Sequence, residues 1–216
     1  MNKAFLFDMD GVLINTEKVW AAGNGGDIVN VFGAEIAQKL GDTIGATINS
    51  EYQRAIRVGF SMDYEEYLER YNKEAVRVFS QAEVTEGVER LAENLIVLNF
   101  KLGLVSSSPR KWIDYLLPRI SFGNKFEQII SLNDRNDLKL KPEPDGYLEA
   151  LKNLKADPKL SIILEDSNPG IKAAKAAGAY VIGFKGNLVE GYIQNGADAY
   201  ADTMDDVIKL VVARSD

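Results

Sequence analysis

The chain has 216 residues, a formal net charge of −7 and 46% hydrophobic residues, a composition that suits a soluble globular protein and argues against general nucleic-acid binding. It contains no cysteine and no histidine, which excludes thiol chemistry, disulfides, a histidine base and histidine-ligated metals, and leaves carboxylates and lysine for acid–base work. No apolar run approaches the ~18 residues of a membrane span, and the first strand begins within a few residues of Met1, so the expectation is a cytoplasmic protein without a signal peptide.

The first element is the run Phe5-Leu6-Phe7, continuous rather than alternating, as in a strand buried on both faces. It leads straight into Asp8-Met9-Asp10-Gly11. Two carboxylates one residue apart repel each other unless a cation stands between them. At the C-terminal end of a strand in an open α/β sheet they also occupy the usual place of a ligand site. The pair suits an oxygen-liganded cation of the Mg²⁺ type. The competing reading is a turn in which both aspartates only cap the next segment.

From Thr16 to about Ser80 the pattern is helical and free of proline. Residues 63–79 place Tyr64, Tyr67, Leu68, Tyr71, Ala75, Val78 and Phe79 at helical spacing, behind a capping box of Asp63 and Glu66. Residues 50–60 repeat the pattern with Tyr52, Ala55, Ile56 and Phe60. The tyrosine stripe reads as helix-packing core. The glycine-rich residues 23–26 must break or bend any helix that begins near Glu17.

From about Val84, strands and helices alternate. A helix over residues 86–99 leads to a strand at Leu102-Gly103-Leu104-Val105, and another helix follows Pro109. Gln128-Ile129-Ile130-Ser131 reads as a short strand, residues 144–154 as a helix, and Ser161-Ile162-Ile163-Leu164 as a strand. Asn168 then reads as an N-cap, with Pro169 at the first helical position and Gly178 just past the helix end. A strand at residues 180–184 and a helix over residues 204–212 close the chain. This alternation predicts an α/β fold with a doubly wound parallel sheet. Residues 1–15 and 81–216 would form that core, and residues 16–80 an inserted α-helical cap domain.

Each apolar strand is followed by polar chemistry. The first ends in Asp8 and Asp10, the next in Ser106, Ser107 and Ser108, a later loop carries Lys139 and Lys141, and another strand ends in Glu165-Asp166. Parallel strands bring these ends to one edge of the sheet. Carboxylates, a hydroxyl and an ammonium together suit phosphoryl transfer. Taken singly, each has a plainer reading: the serines cap the helix after Pro109, Lys141 is a solvated surface lysine, and Glu165-Asp166 is the negative charge favoured before a helix.

Four segments in order, D-M-D-G-V, L-G-L-V-S, K-P-E-P-D and L-E-D-S-N-P-G-I, resemble the motifs of the haloacid dehalogenase-like hydrolase superfamily. The likeness runs along essentially the whole chain. It points to the branch with a helical cap inserted after the first strand, which holds beta-phosphoglucomutase, phosphoglycolate phosphatase and related sugar-phosphate phosphatases. The resemblance implies that Asp8 is a nucleophile forming an aspartyl-phosphate and that Asp10 is the general acid/base. It implies that Ser106, with Ser107 beside it, and Lys141 hold the phosphoryl group. It implies Mg²⁺ held by Asp8, Asp166 and the backbone carbonyl of Asp10, with Glu165 ligating or orienting. The aspartate at position 10 favours phosphate-ester chemistry, whose leaving oxygen needs a proton.

The mutases of that branch carry a histidine near the position of Trp20 and a basic residue in a cap loop. Here residues 41–45 contain neither lysine nor arginine, and Asn15 replaces the usual aspartate. A phosphatase is therefore expected, with a mutase, or a catalytically weak binding protein, as the alternatives. Trp20, Lys18, residues 41–45 and Arg110 are the candidates for substrate contact. The expected partner is a small phosphate ester, with neither nucleic acid nor membrane, and the expected state is a monomer.

Overall fold

The computed structural model describes residues 2–21, 27–41 and 43–215; the glycine-rich stretch at 23–26 lies outside the described residues. Six parallel strands form one sheet: β1 (Ala4–Phe7), β2 (Lys101–Ser106), β3 (Phe126–Ser131), β4 (Ile162–Glu165), β5 (Tyr180–Phe184) and β6 (Ala199–Ala201). Their order is β3-β2-β1-β4-β5-β6. Phe7 is in register with Leu104 of β2 on one side and with Leu164 of β4 on the other. The chain thus winds outward from β1 in one direction, then returns to lay β4 on its other flank. The crevice of a doubly wound sheet opens at that reversal.

Successive side chains of β1 serve opposite faces, as the two-residue period of a strand requires. Phe5 and Phe7 pack with Leu91, Leu95, Ile113 and Val207, from helices α6 (Val88–Val97), α7 (Arg110–Leu116) and α10 (Met204–Ser215). Ala4 and Leu6 pack with Tyr147, Leu151, Ile171 and Ala174, from α8 (Asp145–Leu154) and α9 (Asn168–Ala176). Burial on both faces is the physical reason that β1 is an unbroken apolar run.

Between β1 and α6 the chain forms α1 (Thr16–Ala21), α2 (Asp27–Phe32), α3 (Ala34–Leu40), α4 (Ile48–Arg57) and α5 (Tyr64–Gln81). This insert has a core of its own: Val31, Phe32, Leu40, Ile48, Ala55, Phe60 and Tyr67. Tyr67 stacks on Phe32 at 5.3 Å, and its hydroxyl donates to the carbonyl of Ile48. The stripe divides by depth. Tyr67 is core, Tyr64 is 39% exposed, and Ile56, expected on the buried face of α4, is 41% exposed. Farther along α5, Ala75 and Phe79 leave this cluster and join the core under the sheet. The chain enters and leaves the insert along adjacent paths, with Asn15 N–H donating to the Glu83 carbonyl and Thr85 N–H to that of Leu13.

Three local expectations change. Asp63 caps α5 through its side chain, accepting from the N–H groups of Glu65 and Glu66, while Glu66 pairs with Arg70; the reciprocal box stands instead at Thr47 and Ser50, before α4. The cap of α9 is Ser167, whose Oγ accepts from Gly170 N–H, so Asn168 is the first helical residue and Pro169 the second. The serines after β2 do not cap α7. Its N-terminal N–H, at Arg110, donates to Asp134 from the loop after β3.

Candidate active site

The strand ends meet as the topology requires. Asp8 N–H donates to the Leu164 carbonyl, which extends the β1–β4 ladder by one rung and fixes the Asp8 side chain at the crevice. The chain then turns through Gly11 at φ +74°, where a Cβ would lie 2.0 Å from Oδ2 of Asp166. Only glycine allows that approach.

Lys141, on the loop before α8, is almost wholly buried. Its Nζ donates to Asp8 Oδ1 at 2.5 Å and to Glu165 Oε1 at 2.6 Å. The plain reading of a solvated lysine is thereby excluded. Glu165 has both oxygens engaged: Oε1 also accepts from the Tyr147 hydroxyl at 2.8 Å, and Oε2 accepts from the N–H and Oγ of Ser167, each at 3.0 Å. The first turn of α9 is pressed so close that a Cβ at Gly170 would fall 1.7 Å from Oε1. Asp166 is the opposite case, since its Oδ2 is buried and has no hydrogen-bond partner. Glu165 is therefore the anchored carboxylate and Asp166 the free one.

Asp10 points elsewhere. Its Oδ1 accepts from Thr16 Oγ1 and its Oδ2 from Ser108 Oγ, both at 2.7 Å. Ser106 Oγ accepts from the N–H of Ser108 at 2.9 Å and so shapes the loop, while Ser107 Oγ is buried without a partner. Sequence reasoning did not single out Thr16, Ser108 as a partner of Asp10, or Tyr147. Hydroxyls of this kind look like ordinary caps and core residues until the fold aims them.

Burial dominates the electrostatics. It pushes the Asp8 carboxyl up to about 8, against the pull of Lys141 and with the help of Glu165 and Asp10. It raises Asp10 too, opposed by the bonds from Ser108 and Thr16, and raises Asp166 well above the usual carboxylate range, with Glu165 and Asp8 adding to it. Burial alone would depress Lys141, but Asp8 and Glu165 hold its ammonium well above the ordinary lysine value. Asp8, Glu165 and Asp166 each offer an oxygen within 4.8 Å of the others. Crowded buried carboxylates and an orphaned oxygen on Asp166 fit a hard divalent cation, which would relieve that repulsion.

Above these groups lies a cavity of about 240 Å³. Asp8, Asp10, Ser107, Ser108 and Asp166 line it from the sheet edge. Trp20, Thr43, Ile44, Gly45, Glu51 and Tyr71 line it from the insert. Trp20 is thus at the cavity wall, with its ring 5.3 Å from that of Tyr71. Other candidates do not line the cavity, among them Lys141, which lies beneath it against Asp8 and Glu165. Arg110 is half-exposed and paired with Asp114 on its own helix, Lys18 donates to the Gly186 carbonyl beyond β5, and Ser106 sits behind the wall. Glu51 is a lining residue that sequence reasoning passed over.

No helix among the described residues is long and apolar enough to cross a membrane. The solved structure of beta-phosphoglucomutase from Clostridium difficile shares the fold, with a TM-score of 0.74 at 20% identity, covering 100% of this chain and 97% of that one. A bifunctional riboflavin kinase/FMN phosphatase of Arabidopsis thaliana is 29% identical over 96% of this chain, which spans only 55% of that protein's length. Hexitol phosphatase B of Escherichia coli is 30% identical, over 81% of this chain and 79% of its own. Residues 5–184, which take in every group at the sheet edge, match the family described as haloacid dehalogenase-like hydrolase, and the chain belongs to that family of enzymes.

Proposed function

We propose that this hydrolase is a Mg²⁺-dependent phosphatase of small phosphomonoesters. The observation that carries the reading is the division of labour between Asp8 and Asp10. Two carboxylates of one turn face one cavity, yet Asp8 is paired with an ammonium and Asp10 is held by two hydroxyls. That is the division a nucleophile and a proton carrier need.

Lys141 holds Oδ1 of Asp8, which leaves Oδ2 to attack phosphorus. As that P–O bond forms, the ester P–O bond breaks, and Asp10 gives its proton to the departing alkoxide. Asp10, now ionised, takes a proton from water while the water oxygen attacks phosphorus, freeing Asp8 and inorganic phosphate. Ser107 Oγ, buried and unpartnered at the cavity wall, and the N–H groups of the same loop receive the phosphoryl oxygens, with Ser106 holding the loop's shape. Mg²⁺ held by Asp8, Asp166 and the Asp10 carbonyl would supply charge neutralisation between the carboxylate and the phosphoryl group. Glu165 orients that set through Lys141 and Ser167.

Residues 16–80 act as a cap over residues 1–15 and 81–216, excluding water and shaping substrate choice. The enzyme works as a cytoplasmic monomer on a sugar, glycerol or glycolate type of phosphate. A mutase must grip a second phosphate, and the described residues lining the cavity include no lysine or arginine. Phosphate release with Mg²⁺ across a panel of phosphomonoesters, with beta-glucose 1-phosphate coupled to glucose 6-phosphate detection, tests this. Metal-dependent release abolished by Asp8→Asn supports it, and isomerisation without release points to a mutase.

A further inference from the structure

Glu51 belongs to neither the sheet edge nor the chemistry just described. It sits in the first turn of α4, is only 6% exposed, and lines the cavity on the insert side. Its Oε2 is buried with no hydrogen-bond partner. The nearest opposite charge, Arg54, is on the next turn of the same helix and donates to the Leu40 carbonyl at 2.6 Å. A carboxyl buried for structural reasons is normally bonded or paired. One left unpartnered at a cavity wall is held for something that enters the cavity.

What enters can be narrowed by charge. Among the described residues, the ionisable lining groups are Asp8, Asp10, Glu17, Glu51, Asp166 and Tyr71, all of them acids. Once one phosphate lies at the sheet edge, a second anion in the leaving group would find no cationic side chain among these residues. Trp20 and Tyr71 add ring surface against which C–H groups can pack, and Ile44 adds an apolar wall. An ammonium pressed against that wall must shed its water at high cost, whereas a hydroxyl loses far less.

We propose that Glu51 determines specificity: its carboxyl takes a hydrogen bond from a hydroxyl of the leaving group, so that the cavity selects monophosphates of sugars and polyols over esters carrying a second anion or an amine. This rests on the phosphatase reading. Burial also pushes Glu51 up to about 8, so near neutrality the group meets a hydroxyl largely as an uncharged acid.

The test compares kcat/KM for glucitol 6-phosphate, phosphoglycolate, O-phosphoethanolamine and p-nitrophenyl phosphate in the wild type, Glu51→Leu and Glu51→Gln. In the wild type, glucitol 6-phosphate should exceed both phosphoglycolate and O-phosphoethanolamine. In Glu51→Leu, the ratio of glucitol 6-phosphate to p-nitrophenyl phosphate should fall by about 10- to 100-fold. Glu51→Gln, which keeps an acceptor in place, should recover most of it. The Leu variant should also melt at a higher temperature, since it removes a buried unpartnered carboxyl. An unchanged ratio with a lower melting temperature would make Glu51 structural and overturn the assignment. A preference for O-phosphoethanolamine, lost equally in both variants, would overturn the hydroxyl in favour of an amine. Absence of phosphate release from every ester by the wild type would overturn the phosphatase reading, and this assignment with it.

Discussion

The ammonium of Lys141 lies 2.5 Å from Oδ1 of Asp8, and both side chains are nearly closed to solvent. The same ammonium separates Asp8 from Glu165. Lys141→Met would leave two buried carboxylates facing each other, a loss on the order of 3–5 kcal/mol for a broken buried pair. Turnover should fall at least ~100-fold with it, because the charge that develops at the phosphoryl group loses its partner. Urea unfolding checks the first figure. The deficit should shrink as pH falls, since protonation removes the repulsion.

Asp10 is held by Thr16 and Ser108, and both bonds oppose the upward push of burial. Removing the Ser108 hydroxyl in Ser108→Ala should therefore raise the Asp10 pKa further. More of it then stays protonated to serve the departing alkoxide at a given pH, so the basic limb of the kcat/KM profile should move to higher pH. Kcat should drop about tenfold with KM little changed, since one neutral hydrogen bond is lost at the reacting group. A profile that does not move would remove Asp10 as the group titrating on that limb.

Glycine is a steric requirement at the two positions that face the carboxylates of Glu165 and Asp166. A Cβ at residue 170 would fall 1.7 Å from the Glu165 carboxylate, and one at residue 11 would fall 2.0 Å from that of Asp166. Gly170→Ala should displace Glu165 and weaken Mg²⁺ binding by about 10- to 100-fold, as loss of a supporting partner does at metal sites. Calorimetric titration of Mg²⁺ into the variant reads this directly.

Glu51 gives stability a pH dependence of known sign. Its carboxyl stands near 8 in the folded chain, raised by burial against the pull of Arg54, with Tyr67 and Tyr71 as the other titratable neighbours. Unfolded, it titrates near the ordinary 4.5. Between these values the folded chain holds a proton that the unfolded chain has released, so stability falls as pH rises through that window. The advantage of Glu51→Leu over the wild type should grow from about pH 5 to about pH 8, reaching on the order of 3 kcal/mol. An advantage that stays flat with pH would mean that Glu51 does not titrate there.

Much of this architecture could be read from the chain. The core strands β1, β2, β4 and β5 announced themselves because burial on both faces demands unbroken apolar runs, and the residues just after them carried the polar chemistry. The strand β6 did not. Ala-Tyr-Ala is three residues long and holds the sheet edge, so it has neither the length nor the β-branched content of a strand. The cap of α9 was misplaced by one residue because Ser167 and Asn168 are both good caps, and only the bond to Gly170 N–H distinguishes them. Glu51 was invisible for a deeper reason. In a helix carrying Arg54 and Arg57 it reads as one more solvated charge, and its burial depends on how the insert sits over the sheet.

The position of β1 has a consequence for how the protein is made. This strand leaves the ribosome well before its hydrogen-bonding neighbours, which begin at Lys101 on one side and Ile162 on the other. At ~5–20 residues per second, the second neighbour follows on the order of ten seconds later. Throughout that interval Phe5, Leu6 and Phe7, all fully buried in the finished fold, have no sheet to join. The turn that carries Asp8 and Asp10 is thus synthesised long before it is framed, and the nascent chain must shelter an adhesive strand, by chaperone or by transient contacts, until the sheet can close around it.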